Sequence, residues 1–256
     1  MNDRPGGLGR LVSKDLRDLN YLMAAARPQV FAIPTAQLPI VKHYTRGPIL
    51  DQGMTGCCVA FSLTAKLRGT PVIINPPRGP EPFALYDRAI AVDEFTDNDH
   101  DTERQYGTSV RAGCKVLQEM GLIDSYHWAY TVDDVLQWIL GGQGGLVLGI
   151  SWYSWMYNPT PEGIIRRPAG APSTLEGGHA IYAYGADRKA GLLDLQNSWG
   201  TDWGGRLKIN GERTDRGCCR LPLEELERLL SGNGEAVAII ERSIRQKKAP
   251  VNGVTP

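Results

Sequence analysis

Asp51-Gln52-Gly53-Met54-Thr55-Gly56-Cys57-Cys58-Val59-Ala60-Phe61-Ser62 opens a helix on a cysteine. Residues 58 to 68 carry apolar Val59, Phe61, Leu63 and Leu67, and Gly69-Thr70-Pro71 stops the run. Cys58 therefore falls in a first turn, where the positive end of the helix dipole favours a thiolate. Gln52 stands six residues earlier. Two later segments, Gly177-Gly178-His179-Ala180 and Asn197-Ser198-Trp199-Gly200, add a histidine and an asparagine. Nucleophile, base, orienter and side-chain amide donor are the parts of thiol-based acyl transfer. Taken singly, each is weak, because a lone cysteine is most often a small buried hydrophobe. Their combination in this order carries the argument.

At these residues the chain resembles the papain family of cysteine peptidases. Gln, Cys, His, Asn is that family's order, and Asn197-Ser198-Trp199-Gly200 followed by Trp203-Gly204 matches its third signature. The resemblance implies a catalytic set of Gln52, Cys58, His179 and Asn197. Cys58 would attack the carbonyl and His179 would act as base and then acid. Asn197 would fix the imidazole, Trp199 would cover that contact, and Gln52 with the Cys58 N–H would hold the oxyanion. The chain departs from the family at Thr55, at Val59 where Trp is usual, at Cys57, and at Gly205-Arg206-Leu207. No departure removes a catalytic group; together they point to bacterial and viral relatives that lack the secreted-type disulfides.

The same resemblance implies a substrate cleft. Tyr106 and Gly107 would pair with an extended peptide in β fashion. Gly177, Gly178 and Gly149 would border the pocket for the second side chain before the cut, flanked by Trp152 and Ala180. That pocket is expected to be wide and largely apolar, with no strong charge requirement.

Composition bounds the remainder. The chain has 256 residues, is 42% hydrophobic and carries no formal net charge. It can bury one full core. No basic stripe suits nucleic acid, no apolar run suits a membrane span, and the N-terminus has no apolar signal core. Five cysteines, Cys57, Cys58, Cys114, Cys218 and Cys219, include two adjacent pairs. Adjacent residues make poor disulfides, and no CxxC spacing suits a metal, so no cofactor or metal is expected and a reducing, cytoplasmic setting fits, virion association being compatible with it. The expected partner is a peptide or protein substrate; oligomeric state is not encoded legibly. Asp97-Asn98-Asp99-His100-Asp101 begins like a calcium loop but lacks its glycine and closing glutamate, so a solvated acidic loop is expected. His43, His100 and His127 match no motif.

The first half reads helical and the second half reads β. Helices are expected at 58–68, 81–92, from a Thr108 cap to about Met120, after Thr131 in a capping box with Asp134, and at Leu223 to Leu230. Strands are expected at 146–152, 179–186, 192–196, 206–209 and 236–241. This is an α+β order, agreeing with a papain-like two-lobed fold whose active site lies in the cleft between a helical and an antiparallel β lobe. The expected division is an N-terminal extension at 1–45, in which Asp15-Leu16-Arg17-Asp18 and Tyr21 resemble the lead-in of the bacterial relatives and which either crosses the cleft, braces one lobe or simply packs on the surface, a catalytic domain at 46–244 and a disordered tail at 245–256. Two other readings stay open: a non-catalytic papain-fold structural or binding protein, and a thiol acyltransferase or amidase.

Overall fold

A computed structural model describes residues 4–94, 101–170, 172–208 and 210–242. The acidic stretch from Asp97 to His100 and the tail at 245–256 lie outside the described residues. After β1 (Arg10–Leu11), a 3-10 turn over Leu16–Tyr21 and two one-turn helices, α1 (Met23–Ala26) and α2 (Pro28–Phe31), lead to β2 (Val41–His43). Then come α3 (Cys58–Leu67), α4 (Pro82–Val92), the short β3 (Thr108–Ser109) and α5 (Val110–Glu119). β4 (Ile123–Ala129), α6 (Val132–Leu140), β5 (Leu146–Tyr153), β6 (Leu175–Asp187) and β7 (Leu192–Gln196) follow. The chain closes with β8 (Arg206–Leu207), β9 (Arg213–Thr214), β10 (Cys218–Pro222), α7 (Leu223–Ser231) and β11 (Glu235–Glu241).

The main sheet runs β10-β7-β6-β5-β11-β4, with β2 beside β6, and its pairings are antiparallel. Side chains alternate across β5, so Leu146, Leu148, Ile150 and Trp152 join one core while Val147 joins the other. The first core, with α6 and α7, is the β lobe; the second, with α3, α4 and α5, is the helical lobe. Every residue of α3 is buried, because α4 and α5 cover one side and β5 and β6 the other. A helix apolar almost all round suits that position.

Several expectations change in detail. Ser109, not Thr108, caps α5: its Oγ accepts the Ala112 N–H at 3.1 Å, while the Thr108 hydroxyl donates to Asp93. The Thr131 cap on α6 is present, with its Oγ1 accepting Asp134 N–H at 3.1 Å. β4 and β10 are additional strands, and β2 and β4 bring the first half of the chain into the sheet. β4 reads poorly because Asp124, Ser125 and His127 interrupt its apolar residues. The strand expected at 206–209 is a short hairpin with β9, outside the main sheet. Within the N-terminal segment, β2 pairs with β6 and Asp18 is buried against Arg111.

Lys66 is the one charged residue of α3, fully buried and ion-paired with Glu241 of β11. Removing one partner leaves an uncompensated buried charge. Lys66→Met should therefore lower unfolding free energy by about 3–5 kcal/mol, whereas the joint Lys66→Met, Glu241→Leu variant should recover most of it. Urea melts of the three chains check this.

Candidate active site

Cys58 is the first residue of α3, and Cys57 precedes it as N-cap. Because α3 packs on β6, the Ala180 amide donates to Cys58 Sγ at 3.3 Å, and His179 lies one residue away on the same strand. Asn197 follows directly after β7, and its Oδ1 accepts from His179 Nε2 at 2.7 Å and from Ser198 N–H at 2.8 Å. His179 Nδ1 is buried without a hydrogen-bond partner among the described residues. The imidazole sits between two indoles, with centroids 4.7 Å from Trp152 and 4.8 Å from Trp199. Gln52 is anchored through Oε1, which accepts the Ser198 hydroxyl at 2.6 Å. Ser198 thus ties the asparagine and glutamine segments together, a link that no motif reading isolated.

The N-terminal residues 6–11 form a strap through this place. Gly7 N–H donates to Gly53 carbonyl at 2.9 Å, Gly9 N–H donates to Gly178 carbonyl at 3.0 Å, and Thr108 N–H donates to Gly9 carbonyl at 2.8 Å. β1 continues the contact, pairing in parallel with β3. The Gly7 carbonyl accepts from Gln52 Nε2 and from Trp199 Nε1, each at 3.2 Å. The fit is close: a Cβ on Gly9 would lie 2.1 Å from the Gly56 carbonyl, and one on Gly107, whose φ is +90°, 1.9 Å from the Gly9 carbonyl. Glycine is the residue type that tolerates both demands.

Burial shifts the titration of both reacting groups. Burial pushes the Cys58 thiol up from 9.0 to about 11, although the Ala180, Gly9 and Val59 amides and the Arg10 charge pull the other way. Burial likewise takes His179 down from 6.5 to about 4, against the contact with Asn197. Beneath the strap, both groups are neutral at pH 7. Burial also raises Cys57, to about 12; it packs in the core of the helical lobe.

The residues expected to bind substrate all lie along the strap. Tyr106 and Gly107 border it, but their amides are already engaged: Tyr106 N–H by Asp101 at 2.9 Å and Gly107 N–H by the Tyr86 hydroxyl at 2.9 Å. The pairing edge is Thr108, one residue further on. A Cβ on Gly177 would touch Leu8 at 3.2 Å. Gly149 opens a hollow filled by the Arg10 side chain, and that hollow is not apolar. Arg10 Nε and Nη2 donate to Glu235 Oε1 at 3.1 and 2.7 Å, and Trp128 Nε1 donates to Oε2 at 3.1 Å. Trp152, expected to flank it, is on the opposite face of β5, against His179 and Trp199. Sequence reading missed Arg10, Glu235 and Trp128, since each looks like an ordinary end-of-element residue. The one available signal was Gly6-Gly7-Leu8-Gly9, a run able to thread a narrow slot.

The other histidines are accounted for locally: His43 Nε2 contacts Asp194 at 2.9 Å and His127 Nε2 contacts Ser125 at 2.9 Å, while His100 lies outside the described residues. The five cysteines are buried free thiols. Among the described residues no cluster of His, Cys, Asp or Glu is placed to hold a metal ion, and no helix is long and apolar enough to cross a membrane.

The depressed His179 pKa gives a pH dependence with a definite sign. An unfolded histidine binds a proton as pH falls below 6.5, whereas the folded one waits until about 4. Stability that His179 confers above pH 6.5 should be lost between those values, on the order of 3 kcal/mol. The fall in melting temperature between pH 7 and pH 4 should therefore be smaller in His179→Gln than in the parent chain.

No family model and no curated sequence matches the chain. Solved structures do. Xylellain, a cysteine protease from Xylella fastidiosa, superposes with a TM-score of 0.69 at 20% identity, covering 95% of this chain and 99% of that one. Procathepsin B S9 from Trypanosoma congolense gives 0.54 at 11% identity, over 92% and 83% of the two chains. Digestive procathepsin L 3 from the larval midgut of Tenebrio molitor gives 0.53 at 13% identity, over 91% and 73%. With helices and an antiparallel sheet in two lobes, and likeness to these three along almost its whole length, the chain has the papain-like α+β fold.

Proposed function

We propose that the chain is a papain-like cysteine endopeptidase working through an acyl-enzyme on Cys58. The observation that carries this reading is the Gly7 carbonyl, a peptide carbonyl that accepts from the Gln52 side-chain amide at 3.2 Å, while that amide's other hydrogen goes to the Thr55 carbonyl at 2.6 Å. A carbonyl in that position meets a side-chain donor for its oxygen, on the amide that the Ser198 hydroxyl anchors. In the reaction, Cys58 Sγ bonds to the scissile carbon as its proton passes to His179 Nδ1, the nitrogen left over once Nε2 donates to Asn197. The developing oxyanion is held by Gln52 Nε2 and the Cys58 N–H, one of the orphan amides of a helix start. The C–N bond breaks, the amine leaves with the proton from His179, and water releases the acyl group by the same route in reverse. The Trp152 and Trp199 rings keep water from the His179–Asn197 contact.

The strap supports a second element of this reading, that the N-terminal segment governs access. With the strap seated, Cys58 and His179 are fully buried and neutral, so the chain is latent. Displacement would hydrate both groups and let the thiolate–imidazolium pair form. The substrate is a peptide or protein, and nothing in the site calls for a cofactor.

An epoxide-type thiol-peptidase inhibitor followed by mass mapping tests the assignment. Label should appear on Cys58 and not on Cys57, and should appear faster in Arg10→Glu, which places two carboxylates together and expels the strap. Cys58→Ala should abolish peptide hydrolysis. In the Arg10→Glu background, Gln52→Ala should cost about 2.7–4 kcal/mol in kcat. Label confined to Cys57, or an unchanged rate in Gln52→Ala, contradicts the proposed roles.

A further inference from the structure

The 3-10 turn over Leu16–Tyr21 has its polarity inverted. Its aspartate faces the protein: Asp18 is 1% exposed, and its Oδ1 accepts from Arg111 at 2.6 Å. Its leucines face water, Leu16 at 86% exposure and Leu19 at 59%. Side chains three apart in a 3-10 helix eclipse one another, so these two form one apolar row. Tyr21 at the end of the turn and Val12 ahead of it are exposed as well. A single exposed leucine is ordinary. A turn that keeps an aspartate dry and two leucines wet marks a surface made for contact.

Beside the turn lies a groove of about 290 Å³. Arg17 and Tyr21 of the turn, Arg111 and Lys115 of α5, and Tyr126 and Trp128 of β4 line it. Its charged lining is cationic. The acids that pair with those cations, Asp15 with Arg17, Asp18 with Arg111 and Glu94 with Lys115, are not part of the lining. Ser125 lines the groove next to Tyr126. Consecutive strand residues point to opposite faces, so the groove takes in the edge of β4. β4 ends the main sheet, and among the described residues one isolated bridge, Leu22 to Trp128, lies outside its pairing with β11.

From this juxtaposition, and independently of the peptidase reading, we infer that the turn and the groove form a docking surface for a partner polypeptide, an extended acidic segment carrying a large apolar side chain. The apolar side chain fills the groove against Tyr126 and Trp128, and Leu16 and Leu19 cover it from the rim. Its aspartates or glutamates meet Arg17 and Lys115, so charge selects an acidic segment over a basic one. Its main chain adds to the edge of β4. A concave groove beside an open strand edge suits a polypeptide, where a lipid surface would call for a flat or convex apolar face.

The test uses the full-length Cys58→Ala chain, so that the probes stay intact. The probes are dye-labelled hexapeptides with phenylalanine or leucine among aspartates and glutamates, the same peptides with lysine for the acids, and the same with alanine for the apolar residue. Fluorescence anisotropy should show the acidic, apolar set binding at least about tenfold more tightly than either control. Adding Leu16→Ser and Leu19→Ser together should weaken that binding by about tenfold or more, and Arg17→Glu by about threefold or more at low salt. Bound peptide should slow amide exchange at Ser125 and Tyr126. Because the leucines are exposed, both variants should melt within about 2 °C of their parent. No binding, equal binding of the lysine set, or undiminished binding in the variants overturns the inference, as does a larger fall in melting temperature for the leucine variant, which would make those side chains structural. Binding to phosphatidylglycerol vesicles in place of the peptides would assign the face to a membrane, and leucine-dependent dimers in sedimentation would assign it to a second copy; either result also overturns it.

Discussion

Burying a carboxylate requires a cation and a full set of donors, and Glu235 obtains both from distant parts of the chain. Arg10 supplies the charge from the N-terminus, and Trp128 supplies an N–H from β4. Arg10 reaches the carboxylate from a strap whose Gly7 and Gly9 lie against Gly53, Gly178 and Thr108. The electrostatics of the cleft then follow from the covering. Burial takes the Cys58 thiol up and the His179 imidazole down, each toward its neutral form. The proposed latency would come from solvent exclusion and needs no distortion of Cys58, His179 or Asn197.

The strap and the pocket obey one geometry. Positions without side chains, Gly9, Gly107 and Gly149, allow backbone to approach backbone and admit one long side chain to the floor. The surrounding shell is tied together by hydrogen bonds and a cation–ring contact. Asp101 holds the amides of Gln105 and Tyr106, Tyr86 holds the amide of Gly107, and Arg111 lies over the Trp128 ring at 4.7 Å.

The motifs made the fold and four of the site positions readable, because short-range chemistry imposes them. A cysteine that must lie at a helix start needs an apolar helical run after it, and Val59 to Leu67 provides one. His179 sits in β6 and Asn197 directly follows β7, two strands that the apolar runs announce. The remainder depends on pairing that sequence does not display. Arg10 and Glu235 are 225 residues apart, and each alone reads as a solvated charge near an element end. β4 has Asp124, Ser125 and His127 among its apolar residues, and its place at the end of the sheet comes from pairing with β11. The hollow beside Gly149 looked apolar because its flanking residues are apolar; the acid at its floor comes from the cross-strand neighbour, a register fact that periodicity cannot supply.

The central claim is that a seated strap, and nothing else, keeps Cys58 from reacting. It is tested most directly in the full, unmodified chain by measuring two openings at once: amide hydrogen exchange at Gly9, and alkylation of Cys58 by a small thiol reagent across a range of reagent concentrations. If the strap is the barrier, both report the same opening free energy, and urea shifts them together. Rapid alkylation of Cys58 while the Gly9 amide stays protected would contradict the account.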